Sequence, residues 1–116
     1  MPYLEISLSH ACKKGQAAAL LESTREQLAN LLTIAPSWVL VQVRHDAEEM
    51  QFGASDARSA HVEVRVEGTI DAVRAQGVFE VLFSALSEHA QVEPSHCYVH
   101  IVEVPRQYCG WNGRAM

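Results

Sequence analysis

The residue with the most distinctive chemistry in this sequence is its second one. Pro2 follows the initiator methionine, so removal of Met1 would leave a secondary amine at the start of the chain. A free α-amine has a pKa of about 7.7–8, and burial in an apolar pocket lowers that pKa because it disfavours the charged form. Such an amine is a suitable general base near neutral pH. Pro2 is therefore a candidate base, provided that Met1 is removed. A proline at the start of a strand is also ordinary without any catalytic role.

The histidines and cysteines indicate no second centre of chemistry. His96 and His100 lie about 13 Å apart along a predicted strand, too far to bind one metal ion together. The three cysteines are an odd number without CxxC spacing, and this is typical of a reduced, cytoplasmic protein. The sequence predicts neither a metal nor another cofactor.

The composition is that of a globular chain with a substantial core. Of its 116 residues, 48% are apolar and 20% are charged, which predicts a single domain over residues 1–116. The net charge is −5 and there is no basic run, which argues against binding to nucleic acid or to an anionic membrane. No apolar stretch approaches the roughly 20 residues of a membrane-spanning helix, and no signal peptide is predicted.

The elements that must position Pro2 follow from hydrophobic periodicity. Strict alternation from Tyr3 to Leu8 predicts a strand directly after Pro2. The first helix is expected to pack through Ala18, Leu21, Leu28, Leu31 and Leu32. The complete prediction is strand 3–8, helix 16–32, strand 39–44, strand 61–67, helix 73–90 with Asp71 as its N-cap, and strand 97–104.

The two halves of the chain repeat with an offset of 58 residues. The segment 3–6 falls on 61–64, and Pro36-Ser37 falls on Pro94-Ser95. The match predicts an α+β fold of two β-α-β repeats, at about 2–58 and 60–116, related by a pseudo-twofold. Each helix would connect two parallel strands, giving a four-stranded sheet with both helices on one face. Because parallel strands rarely leave a face bare to water, an oligomer is expected.

These features together resemble the tautomerase superfamily, and within it the group of macrophage migration inhibitory factor and D-dopachrome tautomerase. The similarity runs from Pro2 to Asn112, and its strongest markers are Gln27-Leu28-Ala29, Phe52-Gly53, Tyr98 and Gly110-Trp111-Asn112. The resemblance implies a homotrimer with active sites between subunits and no cofactor. It also implies keto–enol tautomerisation of a phenylpyruvate-type substrate.

The same resemblance implies roles for individual residues. Pro2 would be the catalytic base, and Tyr98 would enter the pocket from a neighbouring subunit. His100 stands where the family usually has a substrate-contacting asparagine, Trp38 at an aromatic wall position, and Cys109 at a small apolar wall position. Alternatively, Tyr98, Trp38 and His100 pack between subunits, and Cys109 is an unreactive wall residue.

Two positions depart from the family pattern. Ile34 replaces a lysine that helps to bind the substrate carboxylate, and Glu67 replaces a pocket isoleucine. Two unit charges about 4–8 Å apart interact by a few kcal/mol at intermediate dielectric, so these changes are large enough to alter substrate choice. Arg106 or another arginine could supply the missing cation.

Glu67 and Met1 together leave three functions open: a tautomerase, a hydratase or decarboxylase, and a binding protein without catalysis. An ionised Glu67 would raise the pKa of the Pro2 amine and favour its cationic form, which cannot act as a base. Alternatively, Glu67 would serve as a second acid/base, as in a hydratase or decarboxylase. It is also consistent with a solvated strand end. A non-catalytic trimeric binding protein is the third possibility, and retention of Met1 would favour it because an acylated proline is no longer basic.

Overall fold

The computed structural model describes residues 2–47 and 49–116. These residues fold into a mixed four-stranded sheet with two helices on one face. The first half contains β1 (Tyr3–Leu8), α1 (Gln16–Leu32) and β2 (Leu40–Arg44). The second contains β3 (Ala60–Glu67), α2 (Ala72–Ala90) and β4 (Cys97–Val104). A short hairpin of β5 (Gly110–Trp111) and β6 (Arg114–Ala115) follows.

The strand order is β2-β1-β3-β4. β1 is parallel to β2, and β3 is parallel to β4, whereas the two central strands β1 and β3 are antiparallel. This arrangement confirms the predicted pair of β-α-β units in one sheet. It also sets the start of β1 beside the start of β2 and the end of β3, since Tyr3 pairs with both Leu40 and Arg65.

The internal repeat is visible in the irregular parts of the chain. Short 3₁₀ turns lie at Pro36–Trp38 and Pro94–His96, which are 58 positions apart. The helices are followed by Thr33 and Gln91, also 58 apart, and both adopt left-handed backbone conformations with φ of 58° and 54°. Equivalent backbone bends therefore end both helices.

The helices bury one face of the sheet. Leu4, Ile6 and Leu8 of β1 are completely buried, and so are Val62 and Val64 of β3. The residues that alternate with them along β1 and β3 lie on the other face of the sheet. They are the residues predicted for that face, namely Tyr3, Glu5, His61, Glu63 and Arg65.

The packing face of α1 differs from the prediction at Ala18, Leu20 and Thr24. Ala18 is exposed, and the fully buried stripe instead runs through Leu20, Thr24 and Leu28. These three residues recur every four positions and so lie on one side of the helix. The Thr24 hydroxyl donates to the carbonyl oxygens of Leu20 and Leu21, at 2.8 and 3.0 Å, which explains how a polar side chain is tolerated there.

The two helices approach each other closely at Gly77. A Cβ atom placed at this residue would lie 2.9 Å from Cδ1 of Leu31 on α1. The absence of a side chain at Gly77 therefore lets α2 pack against α1 without displacing Leu31.

The sheet face away from the helices is partly polar and partly apolar. Glu5 and Arg44 are 3.8 Å apart, and Arg65 donates to Glu63 at 2.7 Å. Leu40 and Tyr98 are 66% and 60% exposed. None of the helices in residues 2–47 and 49–116 is long and apolar enough to cross a membrane.

Cys97, at the start of β4, is expected to resist alkylation in the folded protein. It is 6% exposed, and burial raises the pKa of its thiol to about 12, so little of the nucleophilic thiolate is present at neutral pH. Iodoacetamide labelling followed by peptide mass spectrometry should leave Cys97 unmodified in buffer and modify it in denaturant. Equal labelling rates under both conditions would contradict this burial.

Candidate active site

Pro2 is buried at the junction of three strands. Its carbonyl oxygen accepts a hydrogen bond from the backbone N–H of Leu40, at 3.2 Å, which ties the start of β1 to the start of β2. The antiparallel pairing of Tyr3 with Arg65 places the end of β3 on its other side. The proline ring is thus held by the sheet itself.

A cleft of about 140 Å³ opens beside Pro2. Its lining combines an apolar part with a small polar part. The apolar residues are Pro2, Leu32, Ile34, Val66 and Ile70, and the polar ones are Glu67, Thr69 and Arg74. The structure therefore brings together Pro2 and the two residues that depart from the family pattern, Ile34 and Glu67.

The carboxylate of Glu67 is paired. Its Oε1 atom lies 3.0 Å from Nε of Arg106, and the two side chains are 16% and 73% exposed. Arg106 offsets the negative charge that Glu67 brings to the cleft, so the electrostatic effect of Glu67 on the Pro2 amine is weakened. Arg106 itself does not line the cleft.

Cys109 lies at a neighbouring cleft of about 310 Å³, which Glu67 also lines. The Cys109 thiol points toward the carbonyl oxygens of Val104 and Pro105, at 3.8 and 3.6 Å. Glu67 therefore separates the cleft of Pro2 from that of Cys109.

Trp38 packs against the C-terminal hairpin. Its ring lies edge-on to that of Trp111, with centroids 4.9 Å apart, and the two residues are 40% and 48% exposed. Neither ring lines the Pro2 cleft. Only Val39 separates Trp38 from β2, and Leu40, the first residue of β2, is hydrogen-bonded to Pro2.

Tyr98 and His100 form an aromatic row on the exposed side of β4. Tyr98 stacks on Phe52 with a centroid distance of 5.2 Å and on His100 at 6.1 Å. Nδ1 of His100 lies 3.0 Å from Nε2 of His61 on β3. Tyr98 and His61 line a separate, open cleft together with the loop around Phe52.

Tyr98 and Pro2 lie at opposite ends of the same sheet. Tyr98 pairs with His61 at the start of β3, whereas Pro2 lies beside the end of that strand. The five steps along β3 from His61 to Val66 span about 16 Å at the usual rise of a strand. One chain therefore does not bring Tyr98 to its own Pro2. His100 pairs with Glu63 in the middle of β3, and that strand separates it from β1 and Pro2.

Sequence reasoning missed Leu32, Thr69, Ile70 and Arg74 as residues of the cleft. The last three lie in or just after the connection from β3 to α2. Antiparallel pairing of β1 with β3 would have pointed to this connection, because it places the end of β3 beside the start of β1. Pattern analysis left the relative direction of these two strands unassigned.

Comparisons with known proteins agree with this architecture. The family model described as macrophage migration inhibitory factor matches residues 1–116. A curated relative, the macrophage migration inhibitory factor homolog of Trichinella spiralis, is 28% identical over 93 residues, which are 80% of this chain and 81% of the relative.

Solved structures give the same result. The macrophage migration inhibitory factor homologue of Prochlorococcus marinus has a TM-score of 0.89 and 25% identity, with 97% of each chain covered. The Leishmania major protein MIF2 has a TM-score of 0.88 at 20% identity, with 100% of this chain and 97% of that chain covered. The fold predicted from the sequence is thus matched over essentially its whole length.

Proposed function

Because the chain belongs to the macrophage migration inhibitory factor family, we propose that it is a cofactor-independent keto–enol tautomerase. Pro2 is the general base, and the substrate is of phenylpyruvate type. The observation that carries the proposal is the position of Pro2, buried at the edge of a small and largely apolar cleft. An amine in such surroundings is favoured in its neutral, basic form.

In the proposed reaction, the neutral Pro2 amine takes a proton from the carbon next to the substrate carbonyl. The electron pair of the broken C–H bond moves into a carbon–carbon double bond, and the carbonyl oxygen takes a proton from solvent water to give the enol. The protonated amine then returns its proton to solvent, so that no net proton is gained or lost. Ketonisation is the reverse, with the protonated amine delivering its proton to carbon. A base held by the strand junction needs no large movement for either step.

The proposal includes a homotrimer in which Tyr98 and His100 of one subunit complete the site of the next. The support is geometric: both side chains are exposed on β4, and β3 lies between that strand and β1, which Pro2 precedes. Tyr98 also lies at the end of the sheet away from Pro2 of the same chain. A cyclic assembly with one repeated interface brings two different ends of the subunit together. The proposal also places the protein in the reducing cytoplasm, because its three cysteines are free.

Glu67 favours one competing function, a hydratase or decarboxylase, because its carboxylate lines the same cleft as Pro2. Under the tautomerase proposal, Glu67→Gln should change kcat/KM for enol–keto conversion by less than about tenfold, since Arg106 already offsets the charge. Steady-state kinetics of both proteins provide the test. A loss of several orders of magnitude would instead assign Glu67 an essential proton transfer.

Intact-protein mass spectrometry and an ultraviolet assay of phenylpyruvate enol test the function directly. The proposal predicts a mass lower, by one methionine residue, than that of the full 116-residue sequence. It also predicts that the protein ketonises phenylpyruvate enol faster than buffer alone does. Retained Met1 together with buffer-level rates would favour the non-catalytic binding protein.

A further inference from the structure

Arg74 is a cation of the Pro2 cleft that the family pattern does not assign. It lies in the first turn of α2, which begins at Ala72. Among residues 2–47 and 49–116, it is the only positively charged side chain that lines this cleft. Ile34, at the usual lysine position, lines the same cleft but carries no charge.

The guanidinium of Arg74 is only loosely engaged. Its Nε atom lies 3.9 Å from Oδ2 of Asp71, and the two side chains are 55% and 63% exposed. The other carboxylate oxygen of Asp71 accepts the backbone N–H of Arg74, at 2.8 Å, as the helix N-cap. An exposed ion pair of this kind contributes little stability. The guanidinium of Arg74 can therefore leave Asp71 and bind the carboxylate of a ligand at little cost in free energy.

The surroundings of Arg74 also favour an anion. The positive end of the α2 dipole lies at this turn. The nearest acidic group in the cleft, Glu67, is offset by its ion pair with Arg106. Guanidinium groups bind carboxylates through two parallel hydrogen bonds, which fixes orientation as well as affinity.

We propose that Arg74 is the specificity residue that binds the carboxylate of a 2-oxo acid substrate, in place of the missing lysine. The hydrocarbon part of the substrate lies against Ile34 and Ile70, and its reacting carbon lies toward Pro2. This inference rests on the proposed tautomerase function and adds to it the group that recognises the acid.

Arg74→Gln is expected to raise KM for phenylpyruvate enol by about tenfold, because a hydrogen-bonded charge is lost. The value of kcat should change by less than about threefold, since Pro2 is untouched. The methyl ester of phenylpyruvate has no carboxylate, and its KM should be the same with wild-type and variant protein. Arg25→Gln, at a half-buried position of α1 that does not line the cleft, is the matched control for loss of one positive charge and should leave the KM of both substrates unchanged.

Asp71→Asn tests the same idea with the opposite sign. Asparagine is an equally good N-cap, so α2 is preserved while the competing negative charge is removed. KM for the acid should fall, and KM for the ester should not change. Arg74→Lys should recover part of the affinity for the acid because it restores the charge without the planar fork.

Binding of 3-phenylpropanoate, a non-reacting carboxylate, separates this inference from the proposed function. Calorimetry should show an affinity about tenfold weaker for Arg74→Gln than for wild type, with Arg25→Gln unchanged. Two results would overturn the role of Arg74 alone, provided that enol–keto conversion is fast in wild type. One is an equal rise in KM for the acid and the ester in Arg74→Gln, and the other is an unchanged affinity of this variant for 3-phenylpropanoate. Absence of any Pro2-dependent conversion of either substrate would overturn the function and this inference with it.

Discussion

Pro2→Ala is expected to lower kcat/KM for phenylpyruvate enol by a factor of about 10² to 10⁴, the usual contribution of a positioned general base. Alanine retains an α-amine but loses the ring, which prevents rotation about the N–Cα bond and so fixes the direction of the nitrogen lone pair. The amine of the variant is free to turn away from the substrate. Stopped-flow ultraviolet measurement of ketonisation, at several enol concentrations, gives the ratio.

A second variant separates the amine from the ring. An extra alanine inserted before Pro2 keeps the proline and the strand but converts the amine to an amide, so its rate should fall to that of buffer. Circular dichroism should show the same fold for both variants and wild type. Wild-type rates in the insertion variant would mean that another group moves the proton.

Leu82→Ala is expected to lower the free energy of unfolding by about 2–5 kcal/mol. Leu82 lies in the middle of α2 and is completely buried against the sheet. The substitution removes apolar contacts and leaves a cavity that the rigid sheet cannot fill. Urea denaturation monitored by tryptophan fluorescence measures the change in midpoint at constant slope.

Val73→Ala is the matched control, because Val73 lies on the same helix but is 83% exposed. Its effect should stay within about 0.5 kcal/mol, as for most surface substitutions. A loss below about 1 kcal/mol for Leu82→Ala would contradict the packing of α2 on the sheet. The same packing holds Arg74 at the cleft, so it also bears on the site.

The regular elements could be predicted from the sequence because burial on one side leaves a periodic trace. Alternation in Leu4, Ile6 and Leu8 indicated β1, and Asp71 indicated the start of α2. The structure confirms both, with Asp71 accepting the backbone N–H of Arg74. The repeat of 58 residues added the topology, since each helix had to connect two strands of its own half.

The details that failed depend on information that periodicity does not carry. Ala18 is apolar but too small to mark a packing face, and Thr24 is polar but satisfies its hydroxyl within the helix. Arg74 reaches the cleft through a bend at Gly68, where φ is 77°. Such a change of chain direction leaves no periodic signal.

The composition of the site was only partly accessible from the sequence. Family resemblance pointed to Pro2, Ile34 and Glu67, and the structure places these three at one cleft. It places Tyr98 at the far end of the same sheet. A pattern within one chain gives no information about which residues a second copy contributes, so that part of the site remains a proposal.

Solvent deuterium incorporation tests the central claim most directly, because it follows the proton that Pro2 is proposed to move. Phenylpyruvate enol would be ketonised in D₂O by the wild-type protein and trapped at once by enzymatic reduction, and the product would be examined by NMR. A base fixed on one side of the substrate predicts that deuterium enters a single prochiral position at C3. Equal incorporation at both positions, at the rate of buffer, would contradict the assignment of Pro2 as the base.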